Sequence, residues 1–228
     1  MESVLDKSQI QTQYASHTVD IEYTLDDILK IIESHSNINT FEGNCFYYHL
    51  SNRRFPELLY KQLNLFWCGQ QAARRICEIG FNAGHSAYLM LLGQGGGALE
   101  FTVFDICEHR YVKPCIEYIK GHFPNTSLNL IEGDSTKTMP AWISAHHEAL
   151  ESYDVVHVDG GHTEHCITSD LENAKKLVKR GGILIIDDTN MPVINKKVDE
   201  LLQNINEGYE EITPFPTVGY QHRILRKN

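Results

Sequence analysis

The chain runs to 228 residues, 42% hydrophobic and 22% charged, with a net charge of −10. That length suits one large domain, or a domain with an added subdomain, and the balance is that of an ordinary soluble globular protein. The acid excess weighs against a nucleic acid or a membrane surface as partner. Six cysteines, Cys45, Cys68, Cys77, Cys107, Cys115 and Cys166, are scattered without a C-x-x-C pair, and read as reduced thiols rather than a disulfide or zinc framework. Met1-Glu2-Ser3 opens no signal peptide, and no apolar run approaches about 18 residues. A cytoplasmic protein without a membrane partner is expected.

Residues 1–22 are polar and aperiodic and read as an arm. Thr24-Leu25-Asp26-Asp27 has the look of a capping box. The helix behind it sets Leu25, Ile28, Leu29, Ile31 and Ile32 on one stripe and stops near Ser34 to Ser36. An aromatic loop over 41–48 precedes a second helix after Pro56, with Leu58, Leu59, Leu63, Leu65 and Phe66 as its apolar contacts. Residues 1–70 carry no recognisable chemistry and read as a helical extension, a lid or dimer element. A homodimer through it is an expectation. From Arg75 onward strands and helices alternate, the pattern of a parallel α/β sheet. Strands are predicted over 76–79, 101–104, 128–131, 154–159 and 182–188, and helices over 84–92, 112–121, 139–150 and 193–205. Gly93 to Gly97 reads as a helix terminator. The tail reads as two further strands, 211–213 and 220–225, joined by the Pro214-Phe215-Pro216 loop.

The fourth and fifth strands are short apolar runs that end in acids. A right-handed crossover between them puts both carboxyl ends on one sheet edge, where open α/β sheets bind ligands. Asp159, Asp187 and Asp188 therefore gather there. Clustered carboxylates repel one another unless a cation or shared protons intervene, which points to a divalent metal site. The first strand leads into Glu78-Ile79-Gly80-Phe81-Asn82-Ala83-Gly84-His85-Ser86. A glycine turn that opens a helix lets the backbone approach a ligand and offers it free N–H groups. The spacing is G-x-x-x-G, not the G-x-G-x-x-G of dinucleotide sites. Glu78 suits a cationic ligand better than a pyrophosphate, so an NAD-dependent dehydrogenase is disfavoured.

The E-x-G-x-x-x-G-x-S pattern resembles the opening motif of class I S-adenosylmethionine-dependent methyltransferases. With Asp105, Gly133-Asp134-Ser135, Asp159-Gly160 and Asp187-Asp188 at successive strand ends, the chain is similar to the metal-dependent O-methyltransferases. Those include the catechol and caffeoyl-CoA type and the sugar O-methyltransferase and cephalosporin-hydroxylase-like group, which segments 158–162 and 181–188 resemble most. The resemblance implies a Rossmann-like α/β methyltransferase domain over 71–228, with a mostly parallel seven-stranded sheet and an antiparallel last strand. It implies S-adenosylmethionine bound by Glu78, Gly80, Phe81, Asn82, Gly84, Ser86, Asp105, Gly133, Asp134, Ser135, Asp159 and Gly160. Asp105 would face the ribose hydroxyls, and Asp134 and Ser135 the adenine. It further implies Mg2+ or a similar divalent cation at Asp159, Asp187 and Asp188, and a small-molecule or sugar hydroxyl as the methyl acceptor.

His162 stands three positions after Asp159, where catechol-type relatives place a lysine base. An imidazole can take the same proton near neutral pH, which makes His162 and Asp159 the candidate catalytic residues. Some sugar-methylating relatives carry an acid where this chain has Gly161, so a loop or adenine-side role for His162 stays open. Asp134 and Ser135, and likewise Asp187 and Asp188, can also serve as helix caps. His162 and His165 lack the second ligand pair of a zinc site, and His146-His147 read as surface helix residues. A cephalosporin-hydroxylase-like enzyme, a methyltransferase that needs no metal, and a catalytically silent binding protein on the same fold remain the competing readings.

Overall fold

The computed structural model describes residues 6–36, 45–47, 54–219 and 221–228. Seven strands alternate with helices: β1 Arg75–Ile79, β2 Leu99–Asp105, β3 Thr126–Glu132, β4 Tyr153–Val158, β5 Val178–Ile186, β6 Tyr209–Glu211 and β7 Arg223–Lys227. They form one sheet in the order β3-β2-β1-β4-β5-β7-β6. The first five strands are mutually parallel, and β7 runs antiparallel to both β5 and β6. This is the expected doubly wound α/β sheet, with the strand order reversing about β1 and β4.

Period-two alternation divides each apolar run between two cores. Val155, Ile183 and Ile185 join the core on one face, and Val156, Val158, Leu184 and Ile186 the core on the other. The second face is covered by α6 Ser135–Ala145, α7 Glu164–Leu177 and α8 Pro192–Gln203. The first is covered by α4 His85–Gln94 and α5 Val112–His122 together with three N-terminal helices, α1 Lys7–Ser16, α2 Thr18–His35 and α3 Leu59–Gln71. Gly95, left-handed at φ 84°, ends α4 by donating to the carbonyls of Leu91 and Leu92, so the glycine cluster there is the helix terminator expected of it.

The N-terminal third differs from the expected arm and capping box. Residues 7–16 and 18–35 are helical, and Thr24 lies buried inside α2 rather than at its start. The Asp6 carboxylate caps α1 by accepting the N–H groups of Ser8 and Gln9, both at 3.1 Å. The helix is held by two buried side chains one turn apart, Ile10 and Tyr14. Tyr14 meets Phe66 edge-on at 5.6 Å and donates to Gln62 at 2.6 Å. A stripe this thin leaves no visible periodicity. Of the aromatic loop over 41–48, Cys45, Phe46 and Tyr47 are buried and the rest lies outside the described residues. Among the described residues no helix is long and apolar enough to cross a membrane.

Candidate active site

A cavity of about 420 Å³ opens at the carboxyl ends of β1, β2 and β4. Of the residues expected at the site it is lined by Gly80, Phe81, Asn82, Ser86, Asp105, Gly133, Asp134, Ser135, Asp159, Gly160, His162 and Asp188. Residues from five strand ends thus meet in one space. Glu78, Gly84 and Asp187 stand behind this lining.

The glycine turn is shaped by the strands beside it. Gly80 has φ 86° and donates its N–H to the Phe104 carbonyl at 2.8 Å. A Cβ at Gly80 would lie 1.9 Å from the Asp159 carbonyl oxygen, so only glycine lets β1 pass beneath the β4 end. Asp105 ties the turn from the other side. One carboxylate oxygen accepts the N–H groups of Phe81 at 2.7 Å and Asn82 at 3.0 Å, and the other that of Cys107 at 2.6 Å. Asn82, left-handed at φ 51°, accepts the Tyr111 hydroxyl at 2.7 Å. Gly84, also left-handed, is the N-cap of α4, and His85 and Ser86 of the first turn line the cavity.

Three expected contributors make bonds within the protein. Glu78 is fully buried, because its place in the β1 register sets it against His157 of β4 rather than the cavity. Its Oε1 accepts the Ser86 hydroxyl at 2.5 Å and meets His157 Nδ1 at 2.9 Å. Glu78 therefore fixes the turn from below. Asp134 is the N-cap of α6, its Oδ1 accepting the Thr136 N–H at 3.0 Å and the Thr136 hydroxyl at 2.6 Å, and its Oδ2 pairing with Lys137 at 2.9 Å. It keeps an edge on the cavity while serving the helix. Past the end of β5, Asp187 turns inward while Asp188, left-handed at φ 52°, faces the cavity.

The inward turn of Asp187 meets a residue that the sequence reading missed. Lys61 of α3 is fully buried, and its Nζ lies 2.7 Å from Asp187 Oδ1. The same oxygen accepts the Asp188 N–H at 2.7 Å. On the other side His157 Nε2 stands 3.6 Å from Asp187 Oδ2. Asp188 has φ 52°, and its Oδ2 lies 2.7 Å from His162 Nε2. Single ligand atoms of Asp159, His162 and Asp188 lie within 4.8 Å of one another, as do those of His157, Asp159 and Asp187. A signal for Lys61 did exist. It shares the buried stripe Leu58, Leu65 and Cys68 of the helix, where a lysine has no packing reason to be. His157 likewise interrupts the valines of β4.

Charge in this cluster is ordered by its neighbours. Burial and the nearby Asp187 and Asp188 carboxylates push half-buried Asp159 well above the usual carboxylate range. Burial works against the charge on Asp187, but Lys61 and His157 hold it well below that range. Burial also opposes a charged His157, yet the neighbouring carboxylates of Asp187 and Glu78 raise it to about 10. The bond to Asp188 raises His162. Glu78, Asp159, Asp187 and Asp188 thus stand around two buried cations, Lys61 and His157, and the crowding holds Asp159 protonated. Asp187 Oδ2 is a buried oxygen with no hydrogen-bond partner. Crowded acids, one kept protonated by its neighbours and another with an orphaned oxygen, fit a divalent cation.

The shift of His157 has a consequence for stability. Its folded value of about 10 lies above the ordinary 6.5, so its contribution is complete below the ordinary value and lost as pH rises through the folded one. Asp187 contributes above its ordinary 3.8 and loses that contribution on acidification. Urea midpoints are expected to fall between about pH 7 and pH 10, and His157→Gln is expected to flatten that fall. A parent midpoint constant across this interval would contradict a charged His157.

An open parallel sheet with an antiparallel last hairpin, a glycine turn after β1 and acids at the following strand ends define the class I methyltransferase fold. A family model described as a methyltransferase domain matches residues 77–189, from the glycine turn through Asp187 and Asp188. The chain belongs to the S-adenosylmethionine-dependent methyltransferases. Solved structures agree on the fold. An O-methyltransferase from Bacillus cereus in complex with SAH is 18% identical, with a TM-score of 0.62, over 89% of this chain and 89% of that one. The TDP-rhamnose 3′-O-methyltransferase CalS11 of calicheamicin biosynthesis is 17% identical, with a TM-score of 0.59, over 90% and 93%. A cofactor-bound protein from MTB, Rv0187, is 15% identical, with a TM-score of 0.63, over 99% and 100%. At these identities the likeness is one of fold. A search of the curated proteins found no match.

Proposed function

We propose that this methyltransferase methylates a hydroxyl group of a small molecule or sugar, in the cytoplasm, with Mg2+ or a similar divalent cation. The observation that carries the reading is the continuity of the two half-sites: Asp159 touches the glycine turn through its backbone and faces Asp188 and His162 with its side chain. S-adenosylmethionine supplies the electrophilic methyl group, and the turn of Gly80 to Gly84 with Asp105 aligns it. Asp159, Asp187 and Asp188 are the residues that would hold the cation, which supplies positive charge to lower the proton affinity of the acceptor hydroxyl. His162 is the candidate base. With Nε2 donating to Asp188, its Nδ1 carries the lone pair that accepts the proton, an arrangement of base and orienting acid. Because Asp188 raises His162, turnover is expected to rise as pH climbs past the ordinary histidine range.

A second reading draws on Lys61. Its ammonium already neutralises Asp187, which favours a methyltransferase in which the protein's own cation takes the place of a metal and His162 with Asp188 performs the proton transfer. One experiment separates the two. Purified protein is assayed with a panel of phenols, sugars and acyl-CoA esters, with EDTA or Mn2+, alongside Asp159→Asn. The metal reading expects turnover to vanish in EDTA, to return with Mn2+ and to fall about 10³-fold in the variant. Turnover that persists in EDTA selects the second reading. A protein that S-adenosylhomocysteine stabilises on heating, yet turns over none of the panel, would favour a silent binder.

A further inference from the structure

We propose that Lys61, from a helix that precedes the matched methyltransferase segment, is a positioning residue of the acceptor half-site: through Asp187 it holds the Asp188–His162 pair in place. The inference rests on reading Asp187 and Asp188 as the acceptor half of the site. Packing alone would be met by an apolar side chain on the Leu58, Leu65 and Cys68 stripe, and a buried lysine is tolerated only when paired. The pairing here is specific. Lys61 Nζ and the Asp188 N–H both bond to Asp187 Oδ1, each at 2.7 Å. That oxygen thereby fixes the peptide leading into Asp188, which is left-handed at φ 52°. A residue in this region stays there when its surroundings over-determine it. The direction of the Asp188 side chain follows from that backbone, and its Oδ2 meets His162 Nε2 at 2.7 Å. On the far side of Asp187 stands His157, 3.6 Å from its other oxygen and itself bonded to Glu78. Helix α3 and strand β4 thus grip one carboxylate, and the neighbouring carboxylate is aimed by that grip.

The test uses the full chain, metal-free, with Lys61→Met. Hydrogen exchange at the amides of 187–189 is expected to rise about tenfold, while the 79–84 turn and the affinity for S-adenosylhomocysteine stay within about twofold. Long-range nitrogen spectra of the His162 ring are expected to show a fixed Nε2–H tautomer in the parent and to lose that signature in the variant. Unchanged exchange at 187–189 overturns the proposal, and so does a rise shared equally by the glycine turn. Raised exchange with an unaltered His162 spectrum also overturns it, since Lys61 would then support the backbone alone. Should Lys61→Met not fold, the neutral pair Lys61→Met with Asp187→Asn takes its place with the same expected rise and the same overturning results. Failure of both to fold counts against the proposal, because the pair would then hold up the whole domain. Mn2+ added to the parent addresses the function separately. Slower exchange at 187–189 supports the metal reading, and no effect removes it without touching the comparison between parent and variant.

Discussion

Gly80→Ala is expected to cost the domain about 3 kcal/mol and to weaken S-adenosylhomocysteine binding about a hundredfold. Two penalties combine at this position. The backbone sits at φ 86°, a region in which a β-carbon costs roughly 1–2 kcal/mol. The added carbon would also lie 1.9 Å from the Asp159 carbonyl oxygen, so β1 and β4 must separate where they converge. Overpacking of that kind costs about 1–3 kcal/mol. Separation moves the Phe81 and Asn82 amides away from Asp105 and moves Asp159 away from Asp188, so both half-sites change together. Urea unfolding gives the first quantity and titration calorimetry the second. A loss under about 1 kcal/mol with affinity kept within about threefold would show that the turn is more pliable than its contacts imply.

Gly80 also shows what a single sequence can disclose. A glycine after an apolar strand and before a helix has a local cause, and local causes are written in consecutive residues. The same holds for the period-two division of Ile183 to Ile186 between the two cores, and for Gly95 at the end of α4. The acids at the strand ends were legible for a related reason. A parallel sheet carries all its carboxyl ends to one edge, so Asp105, Asp159 and Asp188 had to meet once the alternation of strands and helices was recognised.

What stayed hidden depends on register and on distant partners. Glu78 precedes the glycine turn by two residues and looks like part of it. The pairing of β1 with β4 instead sets it opposite His157, and that pairing has no signature in either segment. Asp187 and Asp188 are chemically identical neighbours, and which of them faces the cavity is decided by where β5 stops. Lys61 was visible as a charge on an apolar helical stripe, but such a lysine most often snorkels to water. Its partner lies 126 residues away in the chain. The N-terminal helix α1 escaped notice because Ile10 and Tyr14 are its two buried residues, and Tyr14 gains its footing from Phe66 and Gln62 of another helix.

The Lys61–Asp187 pair itself carries the other large expected effect. Asp187→Asn is expected to destabilise the protein by about 3–5 kcal/mol at neutral pH, more than the same change at half-exposed Asp27, where about 0–1 kcal/mol is expected. The reason is an asymmetry. Both Lys61 and Asp187 have fully buried side chains, so removing one charge leaves the other without compensation in a medium that solvates it poorly. His157 loses one of its two acidic neighbours in the same step. Removing both charges, as in Lys61→Met with Asp187→Asn, deletes the desolvation penalty along with the attraction. The double variant is therefore expected to be more stable than Asp187→Asn alone, with a coupling of about 2–3 kcal/mol in the double-mutant cycle. Additive losses would mean that water reaches the pair. A recovery in stability without recovery of the fixed Asp188 would separate the two roles of Lys61, since packing can be restored by methionine but the bond that aims the next carboxylate cannot.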